Sequence, residues 1–189
     1  ILSELLMSTR AYRKLFENLD AYQEELMSIF DMEACLHTSF ASGNITESLF
    51  QKGVSTVVDE AVDHYKQSST TLKTLAHALE SWVPDMPSSS GAGSAWIHVK
   101  QNDKDGYWLE LSRTRYMKLK HALETKRNEN LATFHQQTQG LWSIEELVFD
   151  TSRKSNIKIS GPRIRTHSQT LQIAQHTLAK VVKEEYVRQ

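Results

Sequence analysis

Cysteine is almost absent from this chain: Cys35 is the only one in 189 residues. That excludes an internal disulfide framework and any multi-cysteine zinc site, and it fits a reducing, intracellular setting. Glycine and proline are scarce, seven and three, which favours helix. No apolar run approaches the roughly 20 residues of a membrane span, so no membrane partner is expected. No signal peptide is visible. No glycine is followed by lysine, so the phosphate loop Gly-x-x-x-x-Gly-Lys is missing. The eight histidines form no His-Glu-x-x-His or other ligand spacing. Asp59, Asp63 and His64 lie close on one helix, a proximity expected by chance on a polar face. Cys35 lacks the surroundings of a nucleophile and reads as a buried apolar position. No catalytic constellation emerges, and neither metal nor cofactor is expected.

What is present is an uneven charge. Residues 96–165 carry seven Lys and six Arg against eight Asp and Glu, a balance of about +5. The rest of the chain carries nine basic and fifteen acidic residues, about −6. The near-neutral total hides this split. A basic segment carried by acidic arms implies a surface built to meet a polyanion.

The periodicity changes at the same places. Leu2, Leu5, Leu6, Tyr12, Leu15, Phe16, Leu19, Tyr22, Leu26, Ile29 and Phe30 recur at helical steps, with a break expected near Asp31. Ser42-Gly43-Asn44 is a stop signal. Thr46 to Lys52 reads as a short helix ending at Gly53. Ser55 sits where an N-cap belongs, and Val58 through Trp82 hold helical spacing. Pro84 to Ser94 is a loop by composition. Ala95 to Lys100, the turn Asn102 to Gly106, and Tyr107 to Leu111 predict a β-hairpin. Thr114 to about Thr138 reads as an exposed helix or helix pair, ended by Gly140. Glu146–Asp150 and Asn156–Ile159 predict two more short strands. Thr166 and Gln169 read as a capping box that opens a final helix. The fold class is mainly α: a long helical bundle with a small inserted antiparallel β subdomain. The stretches are 1–94, 95–165 and 166–189. Both ends lie inside amphipathic patterns and read as cut from a longer polypeptide.

Three places carry a resemblance. They are Leu49-Phe50-Gln51-Lys52-Gly53-Val54 followed by Val58-Asp59-Glu60; Gly106-Tyr107-Trp108-Leu109-Glu110-Leu111-Ser112-Arg113; and Asn156-Ile157-Lys158-Ile159 through Arg165-Thr166 to Leu171. In order and spacing they resemble the central part of MutS-family DNA mismatch repair proteins, in a divergent branch. The resemblance covers residues 45–189 well and residues 1–44 by helicity alone. It implies lever helices carrying a β clamp that holds duplex DNA by its backbone. It also implies a dimeric parent whose mismatch reader lies before residue 1 and whose ATPase lies after residue 189, so the fragment itself is expected not to be an enzyme. Two features depart from the family: a helical insert at 114–140 replaces a short proline-containing link, and Gln169 replaces the usual acidic residue.

The residues expected on DNA phosphates are Arg113, Arg115, Lys118, Lys120, Arg153 and Lys154, which follow or join strands. Arg163 and Arg165 flank the return to the last helix and are read as serving that junction. Trp96, Tyr107, Trp108 and Trp142 could stack on bases, but a thin sheet needs them as core. The expected function is non-specific duplex grip with mechanical coupling. The alternative is a helical protein–protein scaffold whose basic insertion meets an acidic protein.

Overall fold

The structure is a computed structural model. It describes residues 2–38, 45–83, 95–102, 104–152 and 154–188, with the side chains of 2–12, 15, 16, 127 and 128 left aside. The stop signal at 42–44 and the loop from Pro84 to Ser94 fall outside the described residues. Among the described residues the order is α1 (Leu2–Ile29), α2 (Met32–His37), α3 (Thr56–Glu80), β1 (His98–Asn102), β2 (Gly106–Ser112), α4 (Arg113–Thr125), α5 (Arg127–Gln137), β3 (Val148–Asp150), β4 (Asn156–Ser160) and α6 (Pro162–Arg188). The chain is mainly α with one small antiparallel sheet, as the periodicity predicts. No helix among the described residues is long and apolar enough to cross a membrane.

Packing divides the chain into two units. One holds residues 1–63 and 177–189, the other His64–His176. Their limits fall inside α3 and α6, so they do not coincide with the stretches distinguished by composition.

In the first unit the break at Asp31 has a clear cause. Its Oδ1 accepts the amides of Glu33 at 3.1 Å and Ala34 at 3.0 Å, which caps α2 and ends α1. The short helix expected at Thr46–Lys52 does not form. This segment instead runs past the α1–α2 break: Asp31 N–H donates to Leu49 O and Gln51 N–H to Ile29 O, both at 2.8 Å. The Phe30 ring lies 5.3 Å from Phe50 and 6.0 Å from Tyr186. Pairing across sequence satisfies more backbone groups than one isolated turn of helix could. Cys35 is half-buried rather than buried. Burial and the Asp31 carboxylate push its thiol pKa up. Gly53 has φ +94° and donates its N–H to Asp59 Oδ2 at 2.8 Å, so Asp59 both suits the positive end of α3 and holds the turn before it.

The second unit carries the sheet, ordered β1-β2-β4-β3 and antiparallel throughout. Its register pairs Val99 with Leu109, Leu109 with Ile159, Leu111 with Ile157 and Phe149 with Ile159. These positions share one face, by the two-residue period of a strand. That face belongs to a single core with Leu72, Leu75, Leu79 and Trp82 of α3, Leu119 and Ala122 of α4, Phe134 of α5, and Ile164 and Leu171 of α6. The four aromatics read as core are indeed buried: Trp96, Tyr107, Trp108 and Trp142. The helical insert differs from its expected exposure. It is a pair of helices, and its inner side (Leu119, Ala122, Phe134 and Thr138) is buried.

Two polar ties fix the hairpin. Glu80 Oε1, at the end of α3, accepts the amides of Trp96 at 2.6 Å and Ile97 at 2.7 Å. Gln175 Oε1 accepts the Tyr107 phenol at 2.7 Å and Gln101 Nε2 at 3.0 Å. Burial, with Tyr65 alongside, pushes the Tyr107 phenol above its usual range, so it stays a neutral donor.

Helix α6 begins at Pro162, four residues before the expected capping box. Proline at the first helical position sacrifices no bond, because that N–H has no intrahelical partner. Thr166 therefore sits inside the helix, its Oγ1 donating to Pro162 O at 3.3 Å. His167 packs against Trp142 with ring centroids 4.9 Å apart. Burial first, and the Arg163 charge second, hold its pKa below the ordinary value of 6.5. As pH falls, the unfolded chain then takes up this proton before the folded one does. The stability tied to His167 is full above about pH 6.5 and is lost as pH falls through the depressed folded value. Thermal midpoints measured from about pH 7.5 to about pH 5.5 should fall for the native chain and fall less for His167→Gln. Parallel curves would show that His167 does not titrate in this window.

Candidate nucleic-acid interface

The candidate cations are set by one junction. Helix α4 follows β2 with no intervening residue. Ser112 caps it, its Oγ accepting the Arg115 amide at 3.4 Å. Register pairs Ser112 with Asn156, and the Arg113 N–H donates to Ser155 O at 3.0 Å. The start of α4 therefore abuts the β3–β4 turn, which carries Lys154. Arg153 lies outside the described residues.

This corner is electrostatically unusual. The first turn of α4 contains no acidic residue but holds Arg113 and Arg115. Cations at the positive end of a helix dipole are disfavoured, by about 0.3–1 kcal/mol each where exposed. Arg113 and Lys154 are exposed and Arg115 is half-buried. Arg113, Lys154 and the amino end of α4 thus bring positive charge to one corner, with the carboxylates of Asp150 and Glu110 on the adjoining strands.

The four cations of α4 form no single stripe. At about 100° per residue, Lys120 lies about 20° from Arg113 around the helix and Lys118 about 60° from Arg115, while Arg113 and Arg115 lie about 160° apart. Lys120 stands 3.8 Å from Glu124, with both side chains at least half exposed. Such a pair is weak and leaves the lysine available. Lys118 lines a separate cleft of about 540 Å³ with Trp82, Met117, His121 and Lys126. The cleft has an apolar floor and a cationic rim, a combination that sequence reasoning did not separate from the DNA-facing set. Spacing alone could have found it: Lys118, His121 and Thr125 recur on one helical side.

Other basic residues are committed to the fold. Lys158 Nζ lies 3.0 Å from Asp105 Oδ2 and 4.6 Å from the centre of the Trp108 ring. Lys158 in turn holds the Asp105 carboxyl below its usual pKa. Arg163 Nη1 donates to Leu141 O at 2.7 Å, and its Nε lies 2.8 Å from Glu146 Oε2, off the hydrogen-bond axis. Arg163 thus ties α6 to the segment before β3. Among the described residues, no group of three or more His, Cys, Asp or Glu is placed to hold a metal ion.

A helical chain whose small sheet presents a basic corner is the class defined so far. No family model matches the chain. It is similar to a protein of Acanthamoeba polyphaga mimivirus whose name describes it, provisionally, as a DNA mismatch repair mutS homolog. Identity is 20% over 176 residues, which is 92% of this chain and 15% of the length of that relative.

Proposed function

We propose that this chain holds duplex DNA by its backbone, without reading sequence, as the lever and clamp region of a longer MutS-like mismatch repair protein. The observation that carries the proposal is the corner where Arg113, Arg115 and Lys154 meet the amino end of α4. A phosphate placed there meets the charges of Arg113 and Lys154 and the positive end of the α4 dipole. The distant likeness to a mutS homolog supports the same reading. In it, α3 and α6 are the levers, and they couple clamp closure to an ATPase elsewhere in a dimeric parent. The chain itself is a grip and not an enzyme.

The test is binding of a labelled duplex of about 20 base pairs across a salt series, homoduplex beside mismatch. Affinity should fall steeply with salt and ignore the mismatch. Arg113→Gln with Lys154→Gln should lower the slope of log K against log salt by about two, near 0.9 per lost phosphate contact. Binding unchanged when Arg113, Arg115, Lys118 and Lys120 all become Glu would exclude the clamp assignment.

A second reading has its own observation. The cleft beside Lys118 combines apolar Trp82 and Met117 with Lys126 and His121. A phosphate backbone leaves such a floor unfilled, whereas an acidic protein segment fills it. That favours a docking role for the basic insertion alongside its grip on DNA.

A further inference from the structure

Strand β1 is an open edge. In the order β1-β2-β4-β3 it has a partner on one side only, and four of its five residues are exposed. Alternate backbone N–H and C=O groups of His98–Asn102 therefore face a side where no strand lies among the described residues. Beside that edge runs a cleft of about 500 Å³, walled by Lys73, His77 and Glu80 of α3 and by Ile97, His98 and Lys100. An edge strand with a groove between it and a helix is the geometry in which an extended peptide adds as a further strand.

The charge selects the peptide. Two lysines rim the cleft against one carboxylate. That carboxylate is already committed, because Glu80 Oε1 holds the amides of Trp96 and Ile97, and Oε2 lies 3.5 Å from His77 Nδ1. Lys100 on the edge opposes pairing with a second copy of the same strand, since like charges would face each other. It does not oppose an acidic strand. Nucleic acid is a poorer match, because phosphates offer acceptors alone and the edge presents donors and acceptors in alternation.

We propose that an extended acidic segment of a partner protein adds to β1 as a fifth strand, its carboxylates meeting Lys73 on one face and Lys100 on the other. The inference rests on the docking reading and is independent of duplex binding. The probe is a fluorescein-labelled peptide, Val-Glu-Glu-Thr-Glu-Glu-Val-Thr, whose carboxylates fall on both faces of an extended strand, with the whole 189-residue chain. Binding is expected at about 100 μM or tighter in low salt. The pair Lys73→Glu and Lys100→Glu should weaken it by about tenfold or more. N-methylation at alternate peptide residues should abolish it, because the added strand then loses its donors. Both lysines are exposed, and unchanged tryptophan emission verifies the fold of the double variant. No binding, or binding indifferent to N-methylation or to the double variant, overturns the inference. Loss that follows Lys118→Glu with Lys126→Glu instead keeps the docking reading but places it at the other cleft. Competitive displacement by a short duplex, with amide shifts confined to 98–102, assigns the edge to nucleic acid and also overturns it.

Discussion

Phe134→Ala is expected to destabilise the sheet-bearing unit by about 3–5 kcal/mol. The ring is fully buried and meets Trp82 edge-on, with centroids 6.2 Å apart and planes at 79°. It lies in the same core as Leu109, Leu111, Ile157 and Ile159 of the sheet. Truncation loses the transfer energy of the ring and leaves a cavity that fixed neighbours cannot fill. Beyond that ring, α5 has the half-buried Leu131 and one bond from Ser81 Oγ to Gln137 Oε1 at 3.1 Å. It spans 11 residues and its N-cap, Lys126, makes no side-chain capping bond. A helix so short is marginal without burial. The measurement is urea unfolding followed by tryptophan fluorescence. All four tryptophans, at 82, 96, 108 and 142, lie within His64–His176, so the signal reports that unit alone. The exposed neighbour Gln136→Ala should change stability by less than about 0.5 kcal/mol. A loss under about 1 kcal/mol for Phe134→Ala would show that α5 packs loosely and that the insert is an appendage.

That expectation reverses the reading of 114–138 as an exposed element, and the reason is physical. Tyr116, Leu119, Leu123, Leu131 and Phe134 are too few to mark a buried face by period alone. Two of their partners lie far away in sequence: Trp82 meets Phe134, and Phe149 meets Tyr116. The hairpin was legible because alternation, turn chemistry and return strand fall within fifteen residues, from Trp96 to Glu110. The break at Asp31 was legible because its cause is a local cap. The turn at 46–52 was not, because Leu49 and Phe50 answer to Phe30 across twenty residues. At the candidate site the excess of positive charge could be read directly, but its distribution could not. Lys118 and Lys120 are neighbours in sequence, yet the helix sends them to different sides. Arg113 and Lys154 are some forty residues apart, yet a backbone bond to Ser155 brings their segments together.

Gly106→Ala is expected to cost the same unit about 2–4 kcal/mol, from two separable causes. The first is conformational. Gly106 has φ +71°, and a left-handed backbone disfavours a residue with Cβ by about 1–2 kcal/mol. The second is a collision. The new Cβ would overlap Ser168 Oγ and lie 3.0 Å from Gln172 Oε1. Ser168 cannot yield freely, because its Oγ accepts the Tyr107 amide at 2.6 Å in a buried position. Moving it strands that amide at a cost of about 1–3 kcal/mol. A double-mutant cycle with Ser168→Ala separates the two causes. In the Ser168→Ala background the colliding hydroxyl is gone, so Gly106→Ala should retain the conformational cost and the smaller cost of shifting the Gln172 side chain. The coupling energy should reach about 1 kcal/mol or more. Strictly additive changes would mean that the turn and helix α6 meet without constraint. A coupled result would show that α6 fixes the hairpin at its tip, while Glu80 of α3 holds the start of the same hairpin through Trp96 and Ile97. A hairpin held at both ends by the two long helices would pass a displacement of either one to the sheet, as the proposed function requires.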